Sequence, residues 1–147
     1  MGEGRALSSD DASYVRRHAG RLVELRIQRI ACVREAEALQ ADLATAMKLA
    51  GDETVIFADY RTARPMLPEV ATVWSRAMRQ NNRRVVRGGL LLDPANEILN
   101  LQIERIVRCA TNPNRRLFTD ADALRGWVDV ACKEDDRKAL AELFPRP

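Results

Sequence analysis

The chain has 147 residues, 46% of them hydrophobic and 31% charged, with 24 basic and 21 acidic side chains and a formal charge of +3. This composition suits one soluble globular domain and excludes a largely disordered chain. No run of about 18 apolar residues occurs, which excludes a membrane-spanning helix.

Met1 to Ser13 is acidic and rich in small residues, without the apolar centre of a secretion signal, and reads as a loose tail over residues 1–13. Tyr14 to Arg17 is a short strand, followed by the turn signal His18-Ala19-Gly20-Arg21. Val23, Leu25 and Ile27 alternate with Glu24, Arg26 and Gln28, which predicts a strand with one wet face and closes a hairpin. From Val33 the period changes. Val33, Ala36, Leu39, Leu43, Met47 and Ala50 recur at helical spacing, and Gly51 is the stop. Thr54 to Ala58 is apolar on both faces, as an interior strand would be, and ends at Asp59. Tyr60 to Leu67 is a loop. Pro68 opens a second helix with Glu69 near the positive end of its dipole, and its apolar face is Val70, Val73, Trp74, Ala77 and Met78. Val85 to Leu92 is a second buried strand, interrupted by Gly88-Gly89, which suggests a bulge or the close approach of a helix. Pro94 opens a third helix with Ile98, Leu101, Ile106, Val107 and Ala110 as its expected buried side. Arg115 to Phe118 is a last short strand. Thr119 and Asp122 predict a capping box for a fourth helix, whose stripe is Leu124, Trp127, Val128 and Ala131. Lys133 to Phe144 is a short terminal helix.

This order predicts an α/β fold: an opening β-hairpin, then β-α-β crossovers into a parallel sheet, covered by about four helices. It resembles the STAS domain, the fold of anti-sigma-factor antagonists, and is most similar to SpoIIAA-like bacterial proteins. The marks are Val55-Ile56-Phe57-Ala58-Asp59-Tyr60-Arg61, then Val85 to Leu92 with Asp93-Pro94, then Asn114-Arg115-Arg116 with Phe118-Thr119. The resemblance divides the chain into the tail, a STAS-like domain over 14–132 and a helical extension over 133–147. It implies a cofactor-free regulatory or scaffold module that docks a partner protein and catalyses nothing. In antagonists proper, a serine in the loop before the second helix is phosphorylated. Here that loop carries Arg64-Pro65-Met66-Leu67-Pro68 and no serine, and Thr62 lies too early to match, so the usual phospho-switch is not expected. Related branches hold apolar ligands or lipids, which leaves a carrier or sensor as the alternative.

The charge is uneven. Between Tyr60 and Leu92 stand seven arginines and one acid, Glu69, a local net of +6 in a chain of +3. Such asymmetry steers acidic partners. We therefore expect a partner surface made of Tyr60, Arg61, Thr62, Arg64, Met66 and Leu67 from the loop, Arg76, Arg79 and Arg83 from the second helix, and Asn96 at the start of the third. Met66 and Leu67 are its expected apolar anchors, stiffened by prolines. With aromatics at 5% and Trp74 on a core face, no stacking platform accompanies the arginines, so nucleic acid is an unlikely partner. The strand Tyr14 to Arg17 is an expected sheet edge that could pair two chains.

No catalytic residue, metal site or cofactor is assigned. Asp59 and Asp93 end parallel strands, where ligands gather, but local capping or loop bracing is the favoured account of them. Arg115 and Arg116 are expected to pair with the acidic stretch Glu134-Asp135-Asp136. His18 is expected as an exposed turn residue. Cys32, Cys109 and Cys132 are far apart, with no C-x-x-C spacing, and read as reduced, mostly buried thiols of a cytoplasmic protein.

Overall fold

The expected apolar and alternating runs become strands, and the 3.6-period runs become helices. The computed structural model describes residues 12–51 and 53–143; the greater part of the expected tail and the last four residues lie outside them. The order is β1 (Tyr14–Arg17), β2 (Leu22–Arg26), α1 (Val33–Leu49), β3 (Thr54–Asp59), α2 (Pro68–Gln80), a 3-10 turn (Asn82–Arg84), β4 (Val85–Leu91), α3 (Glu97–Ala110), β5 (Arg115–Phe118), α4 (Ala121–Asp129) and α5 (Glu134–Leu143). The sheet order is β1-β2-β3-β4-β5, with β1 antiparallel to β2 and the remaining pairs parallel.

That topology dictates the layers. Each crossover from β2 onward steps to the adjacent strand in the same direction. Crossovers of one hand therefore put α1, α2 and α3 on one face. Val23, Leu25, Ile56, Ala58 and Leu90 pack there against Ala36, Leu43, Met47, Val70, Trp74, Leu99 and Ile103. The opposite face, Leu22, Val55, Phe57 and Leu91, would be bare without the chain's last two helices, which supply Leu124, Val128, Ala139 and Leu140. The stretch expected as a C-terminal extension is thus part of the cover. Asp136 of α5 accepts from the backbone N–H of Arg21 at 2.6 Å and from its guanidinium at 2.9 Å, fastening α5 to the hairpin turn.

The glycine pair is explained face by face. A Cβ on Gly89 would lie 2.7 Å from Leu124 Cγ, so α4 packs directly on the strand there. The β3–β4 register also shifts between Thr54 and Val55. Gly20, at φ +71, turns the hairpin where Asp136 presses against the backbone, and Gly51, at φ +84, follows α1.

Several expectations need correction. β2 is buried on both faces, Glu24 included, because Tyr14 Oη donates to that carboxylate at 2.7 Å and His18 Nε2 lies 2.9 Å from it. His18 is therefore a partnered residue, not a free turn residue. The buried stripe of α3 is Leu99, Ile103, Ile106 and Ala110, whose 4-3-4 spacing keeps one face inward; Ile98 and Leu101 are 67% and 68% exposed. Asp120, not Thr119, caps α4, accepting from the Asp122 N–H at 3.0 Å. Arg83 sits in the 3-10 turn beyond α2. Cys132 is buried, and burial pushes its thiol up to about 11, but Cys32 and Cys109 are exposed.

Candidate functional site

The loop between β3 and α2 carries most of the expected contact residues, and the structure divides them sharply. Tyr60 is fully buried, and its hydroxyl accepts from Trp74 Nε1 at 2.9 Å. Burial pushes that phenol up to about 12. Met66 is buried too, at 5% exposure. These two residues anchor the loop to the core, so neither is available to a partner; the expectation of an exposed Met66 is overturned. Two side-chain amides fix the rest of the backbone. Gln102 of α3 accepts from the Met66 N–H and donates to the Met66 carbonyl, both at 2.8 Å. Asn96 donates to the Ala63 carbonyl at 2.8 Å, which makes it an internal brace. Thr62 donates to Gln28 Oε1 at 2.6 Å. Arg61 lies across its neighbour Asp59, with Nη2 2.9 Å from Oδ2. That hydrogen bond, with the charges of Asp59 and Asp93, outweighs partial burial and holds the guanidinium pKa above its ordinary value.

Asp59 is thereby spent on Arg61, and Asp93 accepts from the Ala95 N–H at 2.9 Å as a local brace. Among the described residues, no three His, Cys, Asp or Glu side chains gather as a metal would need.

The exposed remainder lies together. Leu67 is 50% exposed at the entrance of α2. A groove of about 550 Å³ runs between α2 and α3, lined by Ala71, Ser75, Ile106 and Cys109 below and by Arg76, Arg79 and Arg105 above. Those three arginines form no ion pair among the described residues, and neither does Arg64. On α3, Ile98, Leu101 and Arg105 follow i, i+3, i+7 spacing and form one stripe beside the groove. Arg76 and Arg79 are where the sequence places them, exposed and opposite Val70 and Trp74. Arg105, Ile98 and Leu101 were not assigned to this surface from sequence, although the tighter 99-103-106-110 stripe marks the latter two as outward.

The second basic cluster behaves otherwise. Arg87 and Arg116 stack on the Trp127 ring at 4.5 and 5.3 Å from its centroid, and Arg87 also donates to the Trp127 carbonyl. Arg115 is buried and donates to Asn82 Oδ1. Neither Arg115 nor Arg116 pairs with the acidic stretch; Asp136 is turned toward Arg21 beside β2, with β3 and β4 between it and β5.

No family model, curated protein or solved structure matches the chain.

Proposed function

We propose that this protein is a non-enzymatic, STAS-like module that binds a partner protein through the α2–α3 face. The observation that carries the reading is a groove edged by Arg76, Arg79 and Arg105, which have no ion-pair partner among the described residues, beside the exposed Leu67, Ile98 and Leu101. Apolar residues exposed in one area mark an interaction surface. Arginines left without acids favour an acidic partner and set its approach. The amide braces from Asn96 and Gln102 hold the loop in one conformation, so little entropy is lost when it docks.

The STAS assignment rests on the sequence marks and on the order of elements. Work in the cytoplasm belongs to the same proposal and rests on three free cysteines. An apolar-ligand carrier is the weaker reading, because the cavity between the sheet and α1–α2 measures only about 30 Å³, too little for an acyl chain. Phosphorylation of the loop is no part of the proposal, since Thr62 is engaged by Gln28.

The test is quantitative affinity capture with three proteins: wild type, Arg76→Glu/Arg79→Glu, and Arg137→Glu as a control on the opposite face. We expect an acidic partner held by wild type and by the control. The double variant should lose it at least tenfold, and rising salt should release it. Equal capture by all three would overturn the assignment of this face.

A further inference from the structure

Arg115 is 9% exposed, and the side chain it bonds is neutral, the Asn82 amide. Its stem crosses the sheet over Gly88, where a Cβ would lie in ordinary contact with Arg115 Cγ at 3.4 Å. Arg115 lines the space between the sheet and α1–α2, where no carboxylate is found among the described residues. Burial lowers its pKa to about 10, still far above neutrality, so the group is a cation in the protein. A buried charge with no counter-charge costs several kcal/mol.

Across the same cavity stands Tyr60. Its oxygen accepts from Trp74 Nε1, and its own proton has no acceptor among the described residues. Gln40 also lines the space, and its amide oxygen is buried without a partner. Turning that amide over presents its NH2 instead. Arg115, Tyr60 and Gln40 then bring three donor-bearing side chains to the lining of one pocket, which Asn81 also lines and which Leu43, Ile56 and Leu90 wall.

We propose that this cavity is a binding site for a small monovalent anion of halide or formate size, held by Arg115 and Tyr60. The size follows from the volume. About 30 Å³ holds roughly two water molecules. Chloride, bromide, iodide and formate are monovalent and of about that size; sulfate would bury a second charge, and a long acyl chain exceeds the space. The anion supplies the charge that the fold withholds from Arg115. This site is independent of the α2–α3 docking face, so either can fail alone.

Bromide and iodide serve as probes. Crystals soaked in sodium bromide should show an anomalous peak between Arg115 and Tyr60. In solution, Trp74 is only 1% exposed and hydrogen-bonds Tyr60, so in a Trp127→Phe protein it reports on the cavity alone. Iodide should quench it along a saturating curve, formate should compete at constant ionic strength, and sulfate should not. Arg115→Met, which keeps the volume apolar, should abolish saturation while the protein remains folded by circular dichroism. Saturable quenching with formate competition and a bromide peak support the site; competition by formate but not chloride would assign it to carboxylates. Absence of the bromide peak, with quenching that stays linear or absent, would overturn the proposal and leave the cavity to water.

Discussion

The carboxylate of Asp136 accepts from the Arg21 backbone N–H at 2.6 Å, from the Arg21 guanidinium at 2.9 and 3.2 Å, and from the Lys133 N–H at 2.8 Å. Burial alone would raise its pKa; the hydrogen bonds outweigh it and hold the pKa below the ordinary aspartate value. The sign of the pH dependence follows. A carboxyl depressed in the folded state contributes stability above the unfolded pKa of about 3.9, and that contribution is lost as pH falls through the lower folded value. Asp136→Asn should therefore cost roughly 2–4 kcal/mol at neutral pH, and the gap to wild type should shrink below about pH 4. Urea unfolding at pH 7 and pH 3 measures both. Thr111 shows the reverse situation. It ends α3 at φ +56, in the left-handed region where a β-branched residue is strained. Thr111→Gly should raise stability by about 0.5–1 kcal/mol, read as a higher urea midpoint at unchanged slope.

At the level of elements, Gly88 and Gly89 look alike in sequence and differ in what they face. Gly89→Ala drives a methyl into Leu124 of α4 and should cost about 1–3 kcal/mol; Gly88→Ala meets only ordinary contacts at 3.4 Å and should stay within about 0.5 kcal/mol. Thermal unfolding of the two single variants separates them. Met66 and Leu67 make a similar pair: Met66→Ser should lose about 2–4 kcal/mol because it empties a core position, while Leu67→Ser should leave the melting temperature unmoved. Apolar runs bounded by turn signals located the strands, and 3.6-residue spacing located the helices, because both are local properties of the chain. That spacing could not phase α3, where Ile98 and Leu101 are as apolar as Leu99 and Ile103 and only packing against the sheet chooses between them. Nor could it expose the loop's bracing, since Gln102 and Asn96 reach Met66 and Ala63 across more than thirty residues. The arginines of α2 were legible as a surface because an amphipathic helix fixes which side is wet; Tyr60 and Met66 were not, because a loop has no period from which to read a face.

For the whole molecule, the decisive property is monotonic strand order. With α1, α2 and α3 committed to one face, the other face of a sheet buried on both sides depends on about twenty C-terminal residues for its cover. The α2–α3 side carries arginines without ion-pair partners among the described residues, whereas on the opposite side Asp136 pairs with Arg21, Asp129 with Arg137, and Arg87 and Arg116 stack on Trp127. On the proposed reading, the α2–α3 face meets a partner while the other serves folding. Ending the chain after Cys132 tests that division. The cut removes Ala139 and Leu140 from the second core and deprives Arg21 of its carboxylate. The loss should be about 5 kcal/mol, a large share of the 5–15 kcal/mol available to a domain of this size. The truncated protein should bind the dye ANS and unfold without a sharp transition, since Leu22 and Val55 would lie open. A melting temperature within a few degrees of the full chain, with no dye binding, would show that α5 is an independent appendage and that the sheet protects its second face without it.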